Sequence, residues 1–145
     1  MDLLKSMKIS SSGLSANRKR MEAISSNIAN AQTTRTAEGG PYRRKEVVFG
    51  SEPARKSFKD MLDGEIDAHA EEVHATEVVS TNNPPILKYE PNNPEANEDG
   101  YVAYPNVNVM KEMADMISAQ RAYEANISAL NTSKSMAIKT LDIGK

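Results

Sequence analysis

The stretch SSNIANAQTTR, Ser25 to Arg35, closes a segment patterned like a long amphipathic helix. Ser, Asn and Thr are poor helix-interior residues because their side chains compete for backbone hydrogen bonds. Here they sit where an apolar stripe is still running. Read upstream at alternating spacings of four and three, the stripe is Leu3, Met7, Ser10, Leu14, Asn17, Met21, Ile24, Ile28 and Ala31. That alternation is a heptad seam carried over about thirty residues. Asp2 is placed to favour the positive end of the helix dipole.

The C-terminal third repeats the pattern. Val109, Met113, Met116, Gln120, Tyr123, Ile127, Leu130, Lys134, Ala137 and Leu141 fall on the same spacing. Asn106 or Asn108 can cap its start and Gly144 can close its end. Each helix would be roughly 45–50 Å long at about 1.5 Å per residue. Paired only with each other, they would leave Ile9, Ala16, Ala23, Ile117, Ala119, Ala122 and Ala129 facing outward. A fully buried Leu or Ile contributes only about 1.5–3 kcal/mol, so a lone hairpin of this kind gains little. The expectation is that other chains complete its order. Ser10-Ser11-Ser12-Gly13 reads either as a narrow waist, where a neighbouring helix comes close, or as a break in the helix.

Between the helices, AEGGPY (Ala37 to Tyr42) supplies a turn, and RRKEVVF (Arg43 to Phe49) and HATEVVSTNN (His74 to Asn83) read as strands. Residues 51–72 are ambiguous. Pro84, Pro85, Pro91, Pro94 and Pro105 exclude long regular structure, leaving short strands at Ile86–Tyr89 and Tyr101–Tyr104. The expected fold class is therefore mainly α: long N- and C-terminal helices over residues 1–34 and 106–145, pairing as a coiled-coil-like hairpin. A small β-rich or irregular insert over residues 35–105 lies between them.

Composition narrows the function. Aromatic residues make up 5% of the 145, with no Trp and two Phe, too few for a large aromatic core. The net charge is −2, but residues 1–59 carry +7, residues 60–100 carry −10 and residues 101–145 carry +1. The basic clusters Arg18-Lys19-Arg20 and Arg43-Arg44-Lys45 raise a basic-armed nucleic-acid or protein binding module as the alternative function. Against it, the chain is net acidic and lacks interleaved aromatic residues. The basic face is better matched to solvent or to the acidic middle of a neighbouring copy. No Cys is present, so thiolate and disulfide chemistry are excluded, which suits a chain crossing into an oxidising compartment. MDLLKSMKISSSGLS has no apolar signal core, and no apolar run approaches the ~18 residues that span a bilayer.

Catalytic signatures are missing. His69 and His74 in HAEEVH are five apart, whereas a helical zinc pair needs a spacing of four. No phosphate-binding glycine loop or GxSxG elbow is present, and acidic pairs such as Glu71-Glu72 read as solvated loop charges. The expectation is a non-enzyme without metal or cofactor.

SSGLSANRKRMEAISSNIANAQTT (Ser11 to Thr34) resembles the N-terminal signature of flagellar axial proteins, in which a helix ends in a stretch like ANNIANxxT. Ser26-Asn27-Ile28-Ala29-Asn30 and Thr33 match it, and the usual Gly-aromatic pair is displaced to Gly40-Pro41-Tyr42. PYRRKEVVF (Pro41 to Phe49) and the elements KYEPNNP, DGYV, YPNVN, RAYEANI and LNTSKSM between Lys88 and Met136 are similar to the proximal-rod members of that family. The resemblance implies a structural subunit of the basal-body proximal rod, a torque-transmitting drive shaft. It implies partners among other rod proteins and copies of itself, at the inner-membrane ring or its adaptor region, and in the flagellar export apparatus. It also implies a rod position in the periplasmic space, export without a cleaved signal, no nucleic acid and no membrane insertion.

The implied assembly interface comprises Leu3, Met7, Leu14, Met21, Ile24, Asn27, Ile28, Asn30 and Thr33, with Val109, Met113, Met116, Tyr123, Asn126, Ile127, Leu130 and Leu141. Within it, Asn27, Asn30, Gln32 and Thr33 are expected to hydrogen-bond adjacent chains and fix register, since a slip leaves buried amides unpaired at about 1–3 kcal/mol each. Merely capping the helix is their plainer role. Met110, Met113 and Met116 suit adaptable packing, or an ordinary core stripe. Arg121, Tyr123, Glu124 and Asn126 would carry lateral contacts, with Tyr123 as anchor.

Overall fold

A computed structural model describes residues 3–53 and 71–143. The elements run α1 (Leu3–Ala29), β1 (Lys45–Pro53), β2 (Glu71–Ser80), β3 (Ile86–Tyr89), β4 (Tyr101–Tyr104) and α2 (Val109–Ile143). About 50% of the described residues are helical and 21% are strand, which corrects the mainly-α expectation. The terminal helices are present, but the middle, expected to be a small β-rich or irregular insert, is not just irregular. It is two antiparallel strand pairs, β1 with β2 and β3 with β4. The prolines flank these strands instead of dissolving them. β1 and β2, nine and ten residues long, pair with each other, so that each strand helps to satisfy the other's backbone.

The chain divides into two compact units. One holds residues 1–19, 48–77 and 120–145, and the other holds residues 20–47 and 78–119. In the first unit α1 continues unbroken through the Ser10–Gly13 run. A Cβ on Gly13 would lie 3.0 Å from Asn126 Nδ2, so the glycine marks a close approach of α2. Ser12 Oγ is satisfied by donating to Ile9 O at 2.9 Å, and it accepts from Val73 N at 3.3 Å.

In the second unit Asn108 caps α2: its Oδ1 accepts the Lys111 N–H at 3.2 Å. Asn106 instead donates to Pro84 O at 3.2 Å. Gly144 lies outside the described residues. The β3–β4 register pairs Ile86 with Tyr104 and Tyr89 with Tyr101. The latter rings meet edge-on at 5.3 Å between centroids, an arrangement worth about 0.5–1.5 kcal/mol beyond burial. Gly100 takes φ +80° to close the connecting loop, where a Cβ would meet the Tyr89 ring at 3.0 Å. Val102 is the buried residue of this hairpin, at 1% exposure.

One carboxylate ties the hairpin to its loop. Glu90 Oε2 accepts from Asn93 Nδ2 and from Tyr104 OH, each at 3.1 Å. These bonds, Asn93's first, hold the Glu90 carboxyl below its usual range, and Glu90 in turn pushes the Tyr104 phenol up. A lowered folded-state value means Glu90 stabilises the fold above the ordinary glutamate range, and the contribution is lost as pH falls through the lowered value. Urea unfolding of Glu90→Gln should therefore differ most from wild type near neutrality, with the gap closing below about pH 4. A gap independent of pH would show that the carboxylate charge is idle.

Candidate functional site

The amide-rich end of α1 does two separate jobs. Asn30 and Thr33 close the helix: Asn30 Nδ2 donates to Ser26 O at 2.9 Å, and Thr33 Oγ1 donates to Asn30 Oδ1 at 3.2 Å. The Ser26 carbonyl thus accepts twice from Asn30, since the Asn30 N–H also donates to it at 3.0 Å. The backbone then folds back, with Tyr42 N donating to Thr33 O at 3.0 Å.

Asn27 is different. Its side chain is fully buried and uses every hydrogen-bonding position it has. Nδ2 donates to Lys45 O and to Glu112 Oε2, both at 2.9 Å. Oδ1 accepts the Lys45 N–H at 2.8 Å and the Tyr42 OH at 3.0 Å. Reversing the amide would set an NH2 against the Lys45 N–H and a carbonyl against the Glu112 carboxylate, so one orientation alone fits. Ser26 Oγ lies 3.0 Å from the same Tyr42 OH.

Glu112 is the acidic half of the site, at 1% exposure. Besides Asn27, its Oε1 accepts from Arg44 Nε at 2.8 Å. Burial, the largest single influence, works against the Arg44 charge, but the Glu112 hydrogen bond and the charges of Glu112, Glu46 and Asp115 together outweigh it. The guanidinium is held above its ordinary value. No buried side-chain nitrogen or oxygen among the described residues is left unpaired. The arrangement is a clasp: the end of α1, the segment Tyr42–Lys45 and the first turn of α2 are tied through one amide and one carboxylate.

In the unit that holds the clasp, small apolar residues are buried alongside Ile24 and Val102. Ala23 and Ala119 are 7% and 0% exposed, and in the other unit Ala16 is 4% exposed. These alanines were expected to face outward. They are buried because close helix approach, as at Gly13, admits only small side chains.

Of the residues of the implied interface, Ile24 and Asn27 are buried. Met7, Leu14, Met21, Ile28, Asn30, Thr33, Met116, Tyr123, Asn126 and Leu130 are half-buried. Leu14, Ser15, Arg18 and Tyr123 line one shallow depression. Val109, Met113, Ile127 and Leu141 are exposed, the last at 74%. The Leu3 side chain lies outside the described residues.

Both basic clusters are partly committed to internal pairs. Arg44 is held by Glu112, and Arg20 lies 3.9 Å from Asp115. His74 lies 3.5 Å from Glu72, and His69 is outside the described residues. Among the described residues no helix is long and apolar enough to cross a membrane.

Known families account for this organisation. Residues 7–35 match the family model described as flagella basal body rod protein, and residues 98–143 match that of the flagellar basal body rod FlgEFG protein C-terminal region. The chain is 42% identical to the flagellar basal-body rod protein FlgC of Borreliella burgdorferi, covering 99% of this chain and 98% of the relative. The chain belongs to the FlgC family of flagellar basal-body rod proteins. Identity is 40% to FlgC of Bacillus subtilis, over 97% of both chains, and 41% to FlgC of Salmonella typhimurium, over the whole of both.

Membership in the FlgC family makes it a structural subunit of the flagellar basal body rod, assembling with rod components and with itself, and not an enzyme. The binding-module alternative finds no support. The clasp is then a structural site of a FlgC-family chain, at the foot of its N-terminal family segment and the head of its C-terminal one.

Two clasp residues were not legible as such. Glu112 stands out only as a lone acid seven residues before Ala119 and fourteen before Asn126, on the face where α2 meets α1. Arg44 was masked by its basic neighbours. The four bonds of Asn27 stay within one chain, so its amide has no capacity left for a neighbour.

Asn27→Leu should lower the unfolding free energy by roughly 3 kcal/mol or more, since it strands several buried polar groups at about 1–3 kcal/mol each. Asn27→Asp places a second carboxylate against Glu112 and should also destabilise. Adding Glu112→Gln restores a donor–acceptor match, so the double variant should be more stable than Asn27→Asp alone. A double-mutant cycle by urea denaturation checks this, and strict additivity would deny the direct bond.

Proposed function

We propose that this rod subunit polymerises through the large apolar residues that its own helix pairing leaves uncovered. Gly13 lets α2 approach α1 at Asn126, and Ala23 and Ala119 are buried, whereas Met110, Met113, Ile117, Ile127, Ile138 and Leu141 of α2 stand open. Met110 is 76% exposed and Leu141 74%. Large side chains spaced along a 35-residue helix and left in water carry the reading, because contiguous exposed apolar surface marks an interaction face. Val109, Met113, Ile127 and Leu141, with the half-buried Met116, Tyr123 and Leu130, make up its α2 part. Leu3, Met7, Leu14, Met21 and Ile28 supply the α1 part. Methionines among them adapt to non-identical neighbours.

The finer setting follows from the family resemblance. The subunit takes a position in the proximal rod, in the periplasmic space beyond the inner-membrane ring. It reaches that place through the flagellar export apparatus and passes torque toward the hook. The absence of Cys suits that compartment.

Met113→Asp and Ile117→Asp test the helix face. Both positions are exposed, so each purified variant should unfold within about 0.5 kcal/mol of wild type. In cells relying on the variant chain, rods should fail to form and swimming should stop. Normal rods and normal swimming would remove this face from the interface.

A further inference from the structure

We propose that the groove between Gly39–Arg44 and Thr81–Pro85 is a socket for the acidic β3–β4 loop of a second copy of this chain. The contact is separate from the apolar face of α2 and stands or falls without it.

The socket has a volume of about 220 Å³, the size of one or two side chains. Pro41, Pro84, Pro85 and Pro105 wall it. Proline has a fixed φ and no N–H, so these walls are stiff and offer little competing hydrogen bonding. Arg43 supplies the charge. Its side chain is exposed, and its partner among the described residues is Asn82, at a limiting 3.5 Å. Arg44, also on the wall, is already committed to Glu112 and Glu46. Arg43 is thus the cation of the socket still open to a carboxylate, which guanidinium can bind through two parallel bonds.

The loop from Glu90 to Gly100 is the matching projection. It is fixed in shape before any contact. Asn97 Oδ1 accepts from the backbone of Asp99 at 3.1 Å and of Tyr101 at 2.8 Å, and Asn93 Oδ1 accepts from Glu95 N at 3.1 Å. The Thr34 hydroxyl donates to Glu95 and anchors the loop to its own chain. Glu98 and Asp99 remain exposed, with no cation beside them among the described residues. A preorganised loop costs little entropy to dock. Loop and socket carry opposite charge and belong to one chain. Their union is a head-to-tail contact that closes into rings or runs on as a helix, the geometry a rod subunit needs.

The absence of Cys permits a direct test in the full chain. Arg43→Cys and Asp99→Cys chains, mixed under mild oxidation, should form covalent heterodimers. Asp99→Cys mixed with Lys19→Cys, an exposed position that does not line the socket, should not. In low salt, Arg43→Glu and the Glu98→Lys/Asp99→Lys pair should each weaken self-association by about tenfold, measured by sedimentation. Mixing the two reversed chains restores both loop–socket contacts and should recover association. No Arg43–Asp99 cross-link, or a mixture that associates no better than either reversed chain alone, would overturn the proposal.

Discussion

A single buried amide governs this structure. Asn27 spends two donors and two acceptors on four partners, and every partner lies in its own chain. A one-residue slip of α1 against α2 would move Asn27 off Glu112 and leave both without partners. The cost of such unpaired groups is steep in a site sealed from water. The clasp therefore sets the relation of the end of α1, the Tyr42–Lys45 segment and the start of α2. Arg44 matters for the same reason, because it neutralises a carboxylate that would otherwise be buried alone.

With register settled by polar groups, the apolar residues divide between two tasks. Small ones serve the chain's own helix contacts. Gly13 admits Asn126, and Ala23 and Ala119 are buried near the clasp. Large ones on α2 are left to water, which is costly for a lone chain and useful for a polymer subunit. Heptad spacing is thus present without being the seam of the monomer. In a rod, where each subunit meets several others, a chain whose own register is fixed internally can present its outer face in one defined orientation.

The sequence showed much of this, though not who touches whom. Strands at Ile86–Tyr89 and Tyr101–Tyr104 follow from β-branched and aromatic residues between turn signals. The polar strip at Ser25 to Arg35 was visible as an anomaly. Periodicity, however, names a helix face and not the partner of that face. It placed Ala16, Ala23 and Ala119 outside because they lie off the heptad seam, whereas all three are buried. It could not tell that Asn27 would be satisfied at home, because the completing groups lie 18 and 85 residues away. All four strands of the middle were legible one by one, whereas their pairing into two sheets was not, because a strand's own residues do not name its partner.

The most direct measurement is amide hydrogen exchange at Lys45 in the isolated full-length protein. Its side chain is exposed, yet its N–H donates to the buried Asn27 Oδ1. A closed clasp in the single chain should slow this amide to the exchange rate of the buried helix amides around Ala23, hundreds-fold or more slower than a free loop amide, on the order of a few kcal/mol of protection. Exchange at Lys45 as fast as at the exposed loop residues Arg35 or Glu38 would mean that the clasp does not close without neighbours, and the internal origin of the subunit's register would be wrong.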